Sequence, residues 1–268
     1  MPVVGIFHGG RLTRQPFEKV VVEVLLQRTT ATAVSRFYDA FIARFPSWQV
    51  LALSEVQDLE AFLKPLGLWR RRAISLLGLA RYASANEGKF PADPAEHKAI
   101  PAAGQYVSNA ILSFQHGKPM PLLDVNMARV IERFLRPRRL ADIRHDPWLQ
   151  AAASYLVRAQ DAERANWATL DFASMVCRVG RPLCESCPVQ LRCSFRKANR
   201  IASANATTGE KSSYLFNRRR FNRQIMPPTL DSATSAAFMS SAIAKFSCPV
   251  SSCNERQTSG ECRASMIM

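Results

Sequence analysis

Along residues 16–176 apolar side chains recur at the spacing of a helix, and no stretch alternates as a strand would. In "TAVSRFYDAFIARF", Val34, Phe37, Tyr38, Phe41, Ile42 and Phe45 fall at i, i+3, i+4, i+7, i+8 and i+11, a single stripe that Pro46 ends. "SEVQDLEAFLKPLG" follows, with Ser54 placed to cap a helix and Pro65-Leu66-Gly67 to stop it. "RAISLLGLARYASANEGKF" repeats the stripe and ends at Gly88. Past the turn "FPADP", stretches around 104–116, 124–135, 147–159 and 163–176 keep the same period. The pattern predicts an all-α chain.

One apolar run stands out. In "VVVEVLLQRTT", Val20 to Thr30, a lone carboxylate, Glu23, sits among six aliphatic side chains. A helix built from this run is apolar on nearly every side, so Glu23 is expected to be buried. A carboxylate buried without a partner costs several kcal/mol, or takes a raised pKa and stays protonated. Such a group serves chemistry in one reading and is a structural buried glutamate in the other.

Charge narrows the partners. Lys and Arg outnumber Asp and Glu by 36 to 21, a formal net charge of +15 over 268 residues. That excess favours a polyanion, nucleic acid first and an acidic membrane surface second. An apolar share of 47% excludes wholesale disorder. No apolar run reaches the ~18 residues of a membrane span, and "MPVVGIFHGGRLTRQ" lacks the basic-then-apolar order of a secretory signal. The expectation is a cytoplasmic chain whose seven cysteines are not in disulfides. After about Lys197 the helical period lapses. Residues 198–268 read as a basic, largely disordered tail with a cluster from Arg218 to Arg223 and three free thiols, Cys248, Cys253 and Cys262.

The other four cysteines have ligand spacing. "CRVGRPLCESCPVQLRC" sets Cys177, Cys184, Cys187 and Cys193 as C-x6-C-x2-C-x5-C. Four thiolates this close can wrap one metal centre, and tetrahedral zinc and a [4Fe–4S] cluster both accept them.

A second block reads "AIPAAGQYVSNAILSFQHGKPMPLLDVNMARVIERF". A helix ending at Ile100-Pro101 is expected to turn through Gly104 into a new helix near Gln105. N–H groups at such a helix start can hold a phosphate without reading sequence. Asp124 precedes the helix "VNMARVIERF" and is placed to be its N-cap. A carboxylate fixed there is also well oriented for catalysis.

Taken in order, "EVLLQRTTA", "PAAGQY…LLDVNMARVIERF" and the cysteine cluster resemble the helix-hairpin-helix (HhH-GPD) DNA glycosylases that carry a [4Fe–4S] cluster. That superfamily includes endonuclease III, adenine-DNA glycosylases and thymine-DNA mismatch glycosylases. The resemblance spans about residues 16–197. It implies a six-helix barrel over 18–128, a cluster domain over 129–197 covered in part by residues 1–17, and double-stranded mismatched DNA lying in the groove between the domains. The chain would act as a nucleoid-associated monomer, away from membranes. Residue by residue, Asp124 matches the catalytic aspartate and Glu23 the pocket glutamate of adenine glycosylases, there a proton donor to the departing base. Gln27, followed by Arg28, matches a residue that fills the gap in the duplex, and Gly104 with Gln105 the phosphate-holding turn. Cys177, Cys184, Cys187 and Cys193 match the cluster ligands.

Tyr106 falls where bifunctional members carry the lysine that attacks the sugar. A tyrosine forms no Schiff base, so the resemblance implies a monofunctional enzyme. "LLQRTTA" and "GLWRRRAISLLGLAR" look closer to the thymine mismatch enzymes than to adenine glycosylases. G:T and G:U mismatches are the expected substrates, with adenine removal as the alternative and a non-catalytic DNA-binding scaffold, or a zinc-stabilised module, as the others. One departure is local: the family's P-G-V-G hairpin reads Pro101-Ala102-Ala103-Gly104 here, putting alanine where the backbone asks for glycine.

Overall fold

A computed structural model describes residues 15–158 and 161–205, the side chains of 201–205 excepted. Ten α-helices and no strand occur among the described residues, as the all-α pattern predicted. Residues 1–14 of the expected N-terminal cover, the tail beyond 205, its basic cluster and Cys248, Cys253 and Cys262 lie outside the described residues. Two compact units meet in sequence between Ala103 and Gly104.

In the first unit, α1 (Pro16–Leu26) starts on a proline, whose missing N–H is no loss in a first turn. It buries Val20, Val21, Val22, Glu23, Val24 and Leu25 together, which is why its sequence shows no polar face. Thr30 caps α2 (Ala31–Arg44), its Oγ1 accepting from the Ala33 N–H at 3.2 Å, and α2 turns Val34, Tyr38 and Phe41 inward. A short helix, α3 (Trp48–Ala52), was not expected, since five residues are too few to show a period. Next comes α4 (Val56–Leu63), whose Phe62 packs on Phe41 and Phe45. Glu55, not Ser54, holds the cap position of α4; the Ser54 hydroxyl donates back to the Val50 carbonyl instead. A 3₁₀ turn at Lys64–Leu66 leads into α5 (Trp69–Ala85), which packs on α3 and α4. The helix expected to end at Ile100-Pro101 is only a 3₁₀ turn, Glu96–Ala99.

The second unit contains α6 (Gln105–His116), α7 (Val125–Phe134), α8 (Pro147–Leu156), α9 (Ala162–Met175) and α10 (Ser194–Asn205). Met127, Val130, Ile131 and Phe134 of α7, at i, i+3, i+4 and i+7, are all buried, in one core with Leu149, Ala153 and Phe172. Each such side chain contributes ~1.5–3 kcal/mol, so this face holds α7 against α8, α9 and α10. Pro119 and Pro121 lead up to α7 and have no N–H to donate. Side-chain amides hold that stretch: Asn109 Nδ2 donates to the Pro121 carbonyl at 2.8 Å, and Asn166 Nδ2 to the Met120 carbonyl at 2.9 Å. Asn166 Oδ1 also accepts from the Leu122 N–H at 2.7 Å. At the other end, α10 runs past residue 197, where the tail was expected to begin.

Candidate active site and cysteine centre

Asp124 is the N-cap of α7. Its Oδ1 accepts from the Asn126 and Met127 N–H groups, each at 2.8 Å, and its Oδ2 from Asn126 Nδ2 at 2.6 Å. With both oxygens tied, the carboxylate is held in one orientation. Burial pushes its pKa above that of an ordinary aspartate. The hydrogen bonds from Met127 and Asn126 and the charge of Arg129 pull the other way without cancelling the rise. Cap and candidate catalytic acid coincide in one side chain.

Asn126 is held in turn. Its Oδ1 accepts from Arg129 Nη1 at 3.0 Å. The same guanidinium donates through Nε to the Cys177 carbonyl at 2.9 Å and through Nη2 to the Ala173 carbonyl at 3.0 Å. A continuous polar chain therefore runs from Asp124 to the first cysteine. Sequence reasoning missed Asn126 and Arg129. Their only trace is their place shortly after Asp124 on one helix.

All four cysteines of the C-x6-C-x2-C-x5-C run are reduced and line one cavity of about 30 Å³. Apolar Val130, Phe134, Phe172 and Val176 complete much of its wall. The donor set is all thiol, which suits soft metals and iron–sulfur clusters. Among the described residues, no three Cys, His, Asp or Glu side chains are drawn together enough to hold a single metal ion as they stand. Burial pushes the Cys184 and Cys187 thiols up, and that of Cys193 to about 11. Arg133 braces the loop: it donates to the carbonyls of Arg178 at 2.7 Å and Val179 at 2.8 Å, and to Cys177 Sγ at 3.5 Å.

Ala102 in the hairpin turn adopts φ +62°, the left-handed conformation expected of the missing glycine. Gly78 of α5 lets the turn come close: a Cβ on it would lie 2.8 Å from Pro101 Cβ. Gly104 caps α6 at φ −64°, an ordinary value, and a Cβ there would meet nothing within 4 Å. Its fold does not demand glycine, which leaves an open approach to the N–H groups of the helix start. Gln105 is exposed and donates through Nε2 to Gln150 Oε1 on α8 at 2.8 Å. Tyr106, next on α6, is half-buried.

Glu23 is 2% exposed, as its surroundings in the sequence implied, and it is not an isolated charge. Gln27 follows one turn later as the C-cap of α1, exposed, with Arg28 beside it at φ +55°. Glu23, Gln27 and Arg28 belong to the first unit, and the remaining candidates to the second.

The chain is similar to proteins of known function. Residues 21–143 match the family described as HhH-GPD superfamily base excision DNA repair protein. A thymine-DNA glycosylase of Aeropyrum pernix is 33% identical over 189 residues, 69% of this chain and 85% of that protein. A thymine/uracil-DNA glycosylase of Pyrobaculum aerophilum is 33% identical over 183 residues, 67% of this chain and 80% of that protein. The human adenine DNA glycosylase is 27% identical over 194 residues, 69% of this chain and only 34% of that protein. A solved structure of a thermostable thymine-DNA glycosylase superposes with a TM-score of 0.63 at 26% identity, covering 73% of this chain and 94% of that one. With a third of the aligned residues identical across most of the length of the Aeropyrum pernix and Pyrobaculum aerophilum enzymes, the chain belongs to the HhH-GPD superfamily of base excision DNA repair proteins.

Proposed function

We propose that this chain is a monofunctional DNA N-glycosylase that flips thymine or uracil out of a mismatch with guanine and leaves an abasic site. The observation that carries the reading is Asp124, a carboxylate fixed through both oxygens at the start of α7. As the bond from C1′ to the base nitrogen breaks, its electron pair leaves with the base and positive charge grows on the deoxyribose. A preoriented carboxylate stabilises that charge, orients the water whose oxygen then bonds C1′, and takes up the proton that this water gives up. Glu23, buried on α1, supplies the proton that the departing base takes up. Tyr106 offers no amine, so no Schiff base forms and the strand stays intact.

Binding follows the same assignment. The N–H groups at Gly104 and Gln105 hold a backbone phosphate, Gln27 fills the space left by the flipped base, and Arg28 adds positive charge beside it. Flipping costs a few kcal/mol and least at a mismatch, which favours weak pairs. The thymine/uracil preference rests on the relatives whose length the chain nearly spans. Adenine is the second reading, and it must accommodate a chain that matches only 34% of the human adenine enzyme.

Cys177, Cys184, Cys187 and Cys193 are assigned to a [4Fe–4S] cluster, in a cluster domain of roughly residues 129–197. A lone zinc holds its sulfurs at about 2.3 Å and needs them tightly convergent. A cluster of several atoms reaches four thiols standing around a cavity. When bound, it would tie the ends of the 177–193 loop into one unit. Colour separates the two: a brown protein with iron and sulfide in equal amounts supports the cluster, and a colourless one with zinc opposes it.

Asp124→Asn tests the reaction. It is expected to abolish base release from a G:U duplex while its affinity for that duplex stays within about threefold of wild type. Undiminished base release would remove Asp124 from the chemistry.

A further inference from the structure

The geometry points to Arg72 as a positioning residue that sets the Gln27–Thr29 turn for entry into the duplex, without touching DNA itself. This rests on the reading of Gln27 as the gap-filling residue. Arg72 lies in the first turn of α5 and is 5% exposed, while its neighbours Arg70 and Arg71 are exposed. Three consecutive arginines thus divide into two for solvent and one turned inward.

The inward guanidinium forks between two separate turns. Through Nη2 it donates to the Gln27 carbonyl at 2.9 Å and to Thr29 Oγ1 at 2.6 Å. Through Nη1 it donates to the carbonyls of Leu66 and Gly67. Thr29 Oγ1 closes the ring by donating to the Leu66 carbonyl at 3.4 Å. A planar fork with several donors can bridge four acceptors in two segments; an ammonium on a flexible stem cannot.

Both clasped turns hold unusual backbone. Arg28, between the two clasped residues Gln27 and Thr29, has φ +55°; Gly67 has φ +70° and Leu68 φ +49°. Left-handed arginine and leucine are sterically disfavoured and persist only where surroundings over-determine them. Arg72 supplies that constraint from inside, while Gln27 and Arg28 remain exposed. The assignment gives the buried Arg72 guanidinium four acceptors in two turns.

Action through Gln27 has a signature that support of the fold alone lacks. The probe is a G:T duplex with 2-aminopurine beside the target thymine, giving both the extrusion signal and the single-turnover rate of base release. Gln27→Gly, Arg72→Lys and the double variant are compared, with Thr29→Val as a milder loss of the clasp. Arg72→Lys is expected to lower extrusion and rate on the order of 10–100-fold. The double variant should be no worse than Gln27→Gly alone, since contacts in one network are not additive. Independent, multiplying losses from Arg72→Lys and Gln27→Gly would overturn the clasp and leave the role of Gln27 standing. Wild-type extrusion in both Arg72→Lys and Thr29→Val would overturn it equally. Wild-type extrusion in Gln27→Gly would instead remove the gap-filling role on which it rests.

Discussion

Asp124 carries a carboxylate whose burial outweighs the hydrogen bonds that favour its charge. Its folded pKa lies above the unfolded value, so its contribution to stability is complete below the unfolded pKa and lost as pH rises through the folded one. Asp124→Asn is therefore expected to melt, by calorimetry at neutral pH, at or above the wild-type temperature; a clear drop would contradict this balance. In catalysis the carboxylate must be ionised, so the acid limb of the rate profile should fall at a higher pH than an ordinary aspartate gives. Asn126→Ala removes a hydrogen bond that lowers the pKa, and its acid limb should move higher still. A limb shifted downward would mean that Asn126 does not favour the charged form. Asp124 could be read from the sequence because an acid before an amphipathic run is a recurring cap. Arg129 and Arg72 could not, because most of their partners are backbone carbonyls, which every residue has. Nor could Asn126, because a polar residue in a first helical turn carries no mark of the carboxylate and guanidinium it joins. Glu23 was legible as buried, but its local run could not say what surrounds it.

In the hairpin, alanine stands at the position where the resemblance puts a glycine. Ala102 there is left-handed, with φ +62°. Ala102→Gly is expected to stabilise the chain by ~1 kcal/mol, since glycine adopts positive φ without the steric penalty. Urea unfolding checks this through a raised midpoint at constant slope. Gly78 has the opposite sensitivity: its added Cβ would press on Pro101 Cβ at 2.8 Å, and Gly78→Ala should destabilise by ~1–3 kcal/mol. Long helices such as α2 and α5 were legible from their stripes and stops. The five-residue α3 was not, and Ser54 misled because a serine near a helix start has several local acceptors, here the Val50 carbonyl. The turn at Glu96–Ala99 has too few residues for periodicity to separate it from a helix end.

Across the molecule, fold class was legible because apolar residues recur at helical spacing in most stretches from 16 to 176 and none alternates as a strand would. The division between Ala103 and Gly104 was not, because it falls inside the hairpin turn and no change of composition marks it. No helix among the described residues is long and apolar enough to cross a membrane. The net charge of +15 belongs to this scale too. If it serves DNA, affinity should fall steeply with salt, by about 10³–10⁵ between about 50 and 200 mM for six to ten phosphate contacts. A flat response in a fluorescence-anisotropy titration would separate the basic surface from the DNA footprint. The proposed chemistry depends on Tyr106 and the choice of base together, and one assay reads both. Labelled duplexes carrying G:T, G:U, G:A, 8-oxoguanine:A and matched pairs are incubated with the protein and analysed with and without hot alkali. Alkali-dependent cleavage at thymine or uracil opposite guanine is the predicted result; cleavage without alkali, or only at adenine, would contradict it.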